Sequence, residues 1–398
     1  MRIVLYIYKK FLRILYRLLN IILVILVIPF FILIIILKPL IHIRFGEIRN
    51  LAIGMNLFAL AYILKKQQNQ KRKSLNLFYY QNKKIVNSYL HKYSSKKLNI
   101  NKIYEYFHLC NKKIFRLKSH IFEINHDDFE GILINDPYKF EYNDLENNLG
   151  LSFLKKIGFD KNKKIICLVV RDSTYKKKIK PEYDWSYHDY RDCDVDDFNE
   201  SIQFLIDNGY QVIRIGKFVF KKSSFKNKNF FDYAVSELRT DFLDIWLMSN
   251  CSFCLSTGTG IDSVALISNI PIAYVNYLPL TNFPTFSNCI VAPKYLYWKN
   301  NNTKLTFEEY LDVNYKKTHE FDENGIVIKN LDSNMILNVT KEIYQKLNNI
   351  SYNKTEKNDQ YIEAEIKMKK YLTNKFNYKK IHKNSKISFN FFKDYFLS

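Results

Sequence analysis

Only six cysteines and ten glycines occur in 398 residues, and each scarcity removes a class of protein. Cys110, Cys167, Cys193, Cys251, Cys254 and Cys289 are too few to staple a chain of this length. They read as reduced, mostly buried thiols. The single CxxC, Cys251 to Cys254, has no second pair and lies in an apparent strand, so burial is expected there and a metal site is not. The glycines form neither GxGxxG nor a Walker loop, which disfavours nicotinamide and P-loop chemistry. No internal repeat is evident. Clustered charge is missing too: 61 basic residues against 39 acidic leave a net charge of +22, but lysine is spread along the whole chain. With no helix-turn-helix, zinc-finger or RNA-binding signature beside it, this charge does not imply a nucleic-acid partner. An apolar fraction of 47% excludes disorder and suffices for two cored domains.

One long apolar run is present. Residues 18–37, LLNIILVILVIPFFILIIIL, are apolar apart from Asn20, and at ~1.5 Å per residue they match a ~30 Å hydrocarbon layer. No small-residue cleavage site follows, so residues 1–40 read as a retained membrane anchor. Arg2, Lys9, Lys10, Arg13 and Arg17 precede the run, and Lys38, Arg44, Arg49, Lys65 and Lys66 follow it. Positive charge on both flanks leaves two topologies open, a re-entrant segment with both ends in the cytoplasm and a single crossing. Pro29 favours a kink. The expected location is the membrane, with the body of the chain on the cytoplasmic face of the inner membrane.

The remainder divides into an N-terminal α/β domain over 41–158, a second domain over 159–350, and a linker with a basic aromatic tail over 351–398. In the first domain, 40–48 has strand character and 51–66 spaces apolar residues over one face of a helix. In the second, KIICLVV (164–170), QVIRI (211–215), CSFCLS (251–256) and PIAYVN (271–276) read as strands. Helices are expected between them, one from Val195 to Asn208, one over 241–250 and one over 260–269. Such alternation predicts a parallel sheet covered on both faces. Ligands of these sheets bind beyond the carboxyl ends of the strands.

Three strand ends therefore carry the candidate site. Arg171 follows the first strand, where a guanidinium can hold two phosphate oxygens in a fixed fork; the plainer alternative is an ion pair with Asp172. At the second, Gly216 allows close backbone approach, Lys217 stands just beyond the strand, and Arg214 points by alternation to the same side as Gly216. At the third, Ser256, Thr257, Gly258, Thr259 and Gly260 expose successive backbone N–H groups ahead of a helix, an arrangement suited to phosphate or ribose. Asp192, Asp194 and Asp196 spell overlapping D-x-D pairs, but Asp194 is better placed as a helix N-cap.

The blocks CLVVRDSTY, YHDYRDCDV, GYQVIRIGK, DYAVSELRTDFLDIWLMSNCSFCLSTGTGIDSVA and PIAYVNYLPL together resemble a family of bacterial glycosyltransferases from surface-polysaccharide gene clusters. The resemblance covers about residues 120–350. It implies the GT-B class, two Rossmann-type domains, with a distant likeness to fucosyltransferases in which an Arg after the first strand of the second domain contacts the donor β-phosphate. Arg171 matches that position. The family's Arg-Ile-Gly-His block reads here as Ala52-Ile53-Gly54-Met55, with Met55 where His is expected.

The expected function is then transfer of a sugar from a nucleotide-sugar to a glycan acceptor, lipid-linked because an anchor is present. Arg171, Arg214, Lys217 and residues 256–260 would bind the donor, and Asp172 or His188 would take the acceptor proton. Fixed cations would make a metal unnecessary, and no cofactor beyond the donor is expected. The competing expectations are an inactive membrane scaffold of a polysaccharide assembly complex, which the Met55 departure favours, and a nucleotide-sugar epimerase, which gains nothing from an anchor.

Overall fold

The computed structural model describes residues 2–70, 74–82, 84–124, 128, 130–179, 181–350 and 359–397. The chain forms two compact units, Met1–His126 and Asp127–Ser398.

The first unit opens with α1 (Arg2–Leu26) and α2 (Ile28–Ile36) and continues through β1 (His42–Ile48), α3 (Ile53–Gln68), β2 (Ser74–Tyr80), α4 (Ser88–Lys97), β3 (Asn99–Ile100) and α5 (Tyr104–Cys110). A π-helical turn, Asn111–Phe115, extends α5. The strands form a parallel sheet in the order β1-β2-β3. Helical bonding runs through the α1–α2 junction, from Val27 N to Leu23 O at 3.3 Å and from Phe31 N to Val27 O at 2.9 Å. The regular helix is interrupted at Val27, next to Pro29, which has no N–H to give. The strand expected over 40–48 and the helix over 51–66 are both present, and α3 buries Leu57, Leu60 and Ile63. Met55 lies in the first turn of α3 and is 40% exposed.

The second unit begins with α6 (Ile132–Asn135), α7 (Asp144–Lys156), β4 (Ile165–Val169), α8 (Thr174–Ile179), α9 (Asn199–Asp207), β5 (Gln211–Arg214) and β6 (Phe230–Phe231). Next come α10 (Asp241–Asn250), β7 (Phe253–Ser256), α11 (Ser263–Ile267), β8 (Ile272–Tyr277), β9 (Cys289–Pro293), β10 (Tyr295–Trp298), α12 (Phe307–Asp312) and α13 (Thr318–Glu323). It ends with β11 (Ile326–Lys329), α14 (Ser333–Leu347), α15 (Asp359–Phe376), β12 (Lys386–Ile387) and α16 (Phe389–Phe396). Seven strands make an all-parallel sheet in the order β12-β9-β8-β7-β4-β5-β6. The central strands β4, β5 and β7 are buried at every residue, which is why they read as continuous apolar runs. From β4 the chain builds outward to β6, then returns to the other side of β4 with β7. The strand order therefore reverses between β4 and β7, the switch point beyond whose carboxyl ends a parallel sheet of this kind forms its ligand crevice. The α/β class expected from the sequence is the one observed.

Two boundaries differ from expectation. Residues 128–158 cluster with the second unit: Tyr138 N donates to Ile267 O at 2.7 Å, and the Tyr142 and Ser249 hydroxyls are 2.6 Å apart. Gly150 of α7 lies against Trp246 so closely that a Cβ would stand 2.2 Å from the indole. The C-terminal tail is structural as well. β12 adds to the large sheet beside β9, and buried Phe389, Phe391, Phe392 and Tyr395 of α16 join the core, so the tail packs on the second unit. Residues 351–358 of the expected linker lie outside the described residues.

Candidate functional site

The crevice between β4 and β7 is closed at its base by two hydrogen bonds across the sheet. Thr257 N donates to Val169 O at 3.0 Å, and Arg171 N donates to Thr257 Oγ1 at 2.8 Å. These bonds hold Arg171 against the Ser256–Gly260 loop.

Asp262, a residue the sequence did not single out, shapes that loop. Its carboxylate Oδ2 accepts from Ser256 Oγ and from Thr259 N, both at 2.7 Å, while Gly258 N donates to Ser256 Oγ at 3.0 Å. With Thr257 N bonded to Val169 O, three of the backbone donors expected to face a ligand are thus used internally. Burial pushes the Asp262 carboxyl up to about 6. Gly258 has φ +82°, and a Cβ there would be 2.8 Å from the Tyr277 ring, so only glycine fits. The helix expected over 260–269 shortens to α11, a little over one turn, too short for the dipole effect the sequence suggested.

Four cations gather around this crevice. Arg171 is joined by Lys176 of α8, by Arg191 at the end of a 3-10 turn (Ser186–Arg191), and by Lys294 after β9. Arg191 Nη2 donates to Gly258 O at 2.7 Å. Lys294, 2% exposed, donates to Asp192 O at 2.9 Å. The proximity registers electrostatically. The Lys176 ammonium is pushed down to about 8 by burial and then by Arg171 and Arg191. Arg171 is lowered by burial and then by Arg191. Asp192 is the one carboxylate paired with Arg171, Oδ1 to Nε at 3.4 Å, and burial lifts it to about 6. Thr259 Oγ1 and His188 Nδ1 are buried without a hydrogen-bond partner, and Arg171 Nε and Asp192 Oδ1, although an ion pair, make no hydrogen bond either. A crevice that collects positive charge and leaves such atoms unsatisfied is chemically matched to a polyanion.

Aromatic rings form its outer wall. Lys176 Nζ stands 4.8 Å above the Trp185 ring and 5.8 Å from that of Tyr187. The Tyr187 and His188 rings are 4.1 Å apart. Burial, then Lys176, Arg171 and Arg191, hold His188 down at about 4, so the imidazole is neutral near pH 7.

Among the other candidates, Asp172 adjoins Arg171 with both carboxylate oxygens engaged, whereas Arg214 and Lys217 lie away from the crevice. Asp172 accepts Thr174 N on Oδ1 and Phe220 N on Oδ2, each at 2.8 Å, pinning two loops together. Arg214 is 2% exposed and paired with Asp232 at 3.2 Å, and it also donates to Lys221 O at 2.8 Å. It therefore stands inside the fold and not on the crevice, because β5 flanks β4 on the side away from β7. Lys217 is 3.3 Å from Asp241 and lines a separate hollow of about 400 Å³ with Lys178, Phe218 and Arg239. Asp194 caps the turn before α9 by accepting Asp196 N at 2.9 Å, and it pairs with Lys221 at 2.7 Å. Arg191, Lys176 and Lys294 went unrecognised in the sequence. The one trace of Lys176 and Arg191 was the density of charge between Arg171 and Asp194; Lys294 left none.

No protein-family model matches the chain, and no curated protein matches its sequence. Among solved structures, a glycosyl transferase family 9 protein from Veillonella parvula DSM 2008 is similar at 10% identity and TM-score 0.41, covering 63% of this chain and 86% of that one. The E. coli ADP-heptose LPS heptosyltransferase II is similar at 11% identity and TM-score 0.36, covering 71% and 98%. The wall teichoic acid polymerase TagF is similar at 10% identity and TM-score 0.27, covering 77% and 71%. At these values the likenesses assign no residue and no activity.

Proposed function

We propose that this chain is a glycosyltransferase of the GT-B class that moves a sugar from a nucleotide-sugar donor to a lipid-linked glycan acceptor. The observation that carries the reading is the convergence of Arg171, Lys176, Arg191 and Lys294 on the crevice where the parallel strand order reverses. The bond that breaks in such a transfer joins the sugar's anomeric carbon to a diphosphate oxygen, and negative charge grows on that oxygen. Preorganised cations stabilise it without reorganising. Fixed guanidinium and ammonium groups supply the charge a divalent ion would otherwise bring.

The acceptor hydroxyl forms the new bond to the anomeric carbon and gives up its proton. His188 is the base in this reading. It is neutral before the donor arrives, and a bound diphosphate beside it raises its proton affinity. Asp172 remains the alternative base, although both its oxygens accept backbone N–H groups. The apolar amino-terminal segment motivates the lipid-linked acceptor and a body on the cytoplasmic face of the membrane.

Calorimetric titration of the detergent-purified protein with GDP, UDP, ADP and CMP, repeated on Arg171→Ala, tests the proposal. Selective binding of one nucleotide, lost in the variant, is expected. Binding of none by a folded protein overturns the transferase reading.

A further inference from the structure

The apolar run at the amino terminus is long enough in sequence to cross a bilayer, since Leu18–Ile36 has a mean hydropathy of 3.3. Its packing tells against a crossing. Val24 and Phe31 are buried against Phe45 and Cys110, and Val27, Ile28, Ile34 and Ile35 pack on the same cluster. Those positions are spaced by three and four and make one continuous stripe along the helix. Phe31, fully buried, lies 5.0 Å from Phe115 of the π-turn, 5.7 Å from His120 and 6.1 Å from Phe45 of β1. Beyond α2, Lys38 Nζ donates to Ser119 Oγ at 3.1 Å, and His42 Nε2 is 2.8 Å from Ser119 O.

The stripe from Val24 to Ile35 occupies ~18 Å of helix axis, which leaves only ~9 Å of apolar helix before it. A hydrocarbon core is ~30 Å thick. To cross it, the helix would have to carry α5 and the π-turn into the lipid, together with the Lys102–Glu105 pair and the exposed Lys112, Lys113 and Arg116. That is prohibitively costly for charged groups. The outward face is nonetheless apolar: Leu19, Ile22, Ile25, Leu26, Phe30 and Leu33 are each more than half exposed. Ile114, 48% exposed, stands among Lys112, Lys113 and Arg116.

We infer that α1 and α2 do not span the membrane but lie along the headgroup boundary of one anionic leaflet, outer face in the acyl chains and inner stripe on the first unit. Apolar area supplies the insertion, and the lysines and arginines flanking it supply attraction to acidic headgroups. Both ends of the apolar run then face the same side.

Two measurements on the full-length chain test this. The first uses impermeant maleimide labelling of Tyr8→Cys and Lys96→Cys, each in a Cys193→Ser background, in sealed right-side-out and inverted membrane vesicles. Both positions should label from one and the same side. Labelling from opposite sides establishes a crossing and overturns the inference. The second is flotation with phosphatidylcholine vesicles with and without phosphatidylglycerol. Binding should require phosphatidylglycerol, weaken with salt, and be lost in Ile22→Ser/Ile25→Ser while near-ultraviolet circular dichroism stays native. Protein that stays in solution beside both vesicle types, for instance as a dimer with these helices paired, overturns it equally.

Discussion

Arg191 and Gly258, 67 residues apart in sequence, are joined by a 2.7 Å hydrogen bond from the guanidinium Nη2 to the carbonyl oxygen. The bond locks the 3-10 turn carrying the aromatic wall onto the loop after β7, and it brings Arg191 to Arg171. Because a guanidinium has five donors in a fixed fork, it can hold this carbonyl and still present N–H groups to a phosphate. Arg191→Lys keeps the charge but loses the fork. Nucleoside diphosphate affinity is expected to fall by about tenfold, read by calorimetry. An unchanged affinity would reduce Arg191 to a tether.

Gly258→Ala tests the loop itself. A Cβ at φ +82° meets the Tyr277 ring at 2.8 Å, and a non-glycine residue strained in this way costs about 1–3 kcal/mol. Urea denaturation should show a loss of this order, with nucleotide affinity falling as well. Tyr277→Ala in the same chain should relieve the steric part and leave the backbone part.

The pH dependence of binding follows from Lys176, whose pKa of about 8 is set by burial and by Arg171 and Arg191. Its unfolded value is ~10.4, so between these limits the unfolded chain binds more protons, and this group's contribution to stability rises with pH. Ligand affinity runs the other way. Only the ammonium attracts a diphosphate, so affinity should decline as pH rises through 8, and Lys176→Gln should flatten the profile while lowering affinity at pH 7. A wild-type profile that is flat from pH 7 to 9 would remove Lys176 from the phosphate site.

Asp232→Ala separates Arg214 from the donor site. The substitution leaves a guanidinium buried and unpaired, which costs about 3–5 kcal/mol. Chemical denaturation should register the loss, while nucleotide affinity of the remaining folded protein stays at the wild-type value. A selective loss of affinity at unchanged stability would return Arg214 to the donor site.

The C-terminal tail depends on Glu342. This carboxylate, 1% exposed, accepts from Ser388 Oγ at 2.6 Å, Phe389 N at 3.1 Å and Asn390 N at 3.4 Å, and so holds the start of α16. Glu342→Ala leaves these buried donors unsatisfied. A loss of about 2–4 kcal/mol is expected, with earlier proteolysis of residues 359–397. Equal protease resistance in the variant would show that α16 is held by its aromatic packing alone.

Local signals in the sequence were sufficient for the central strands of the second unit and for α10. Ile165–Val169 and Phe253–Ser256 stand within the apolar runs that announce them, Ile272–Tyr277 overruns its run by one residue, and Asp241–Asn250 is helical over the full span expected. Those signals operate within a few residues, through burial on both faces, side-chain periodicity and capping, and for that reason they can be read without a fold. Arg171 was legible in the same way, because it stands immediately after a strand.

What the tertiary structure alone decided is the company Arg171 keeps. Strand order put β7 on the side of β4 where the order reverses and β5 on the other. Thr257 therefore reached Arg171 while Arg214 and Lys217 turned to Asp232 and Asp241. Lys176 and Arg191 come from the connection after β4 and Lys294 from the one after β9; their convergence depends on long-range packing, and no spacing rule encodes such a meeting. The amino-terminal run shows the same division. Its composition determined that it is apolar, but Phe31, buried on Phe45, Phe115 and His120, gives one face of it to the protein and leaves the other for a different medium. Hydropathy sums over all faces of a helix, and only packing distinguishes them.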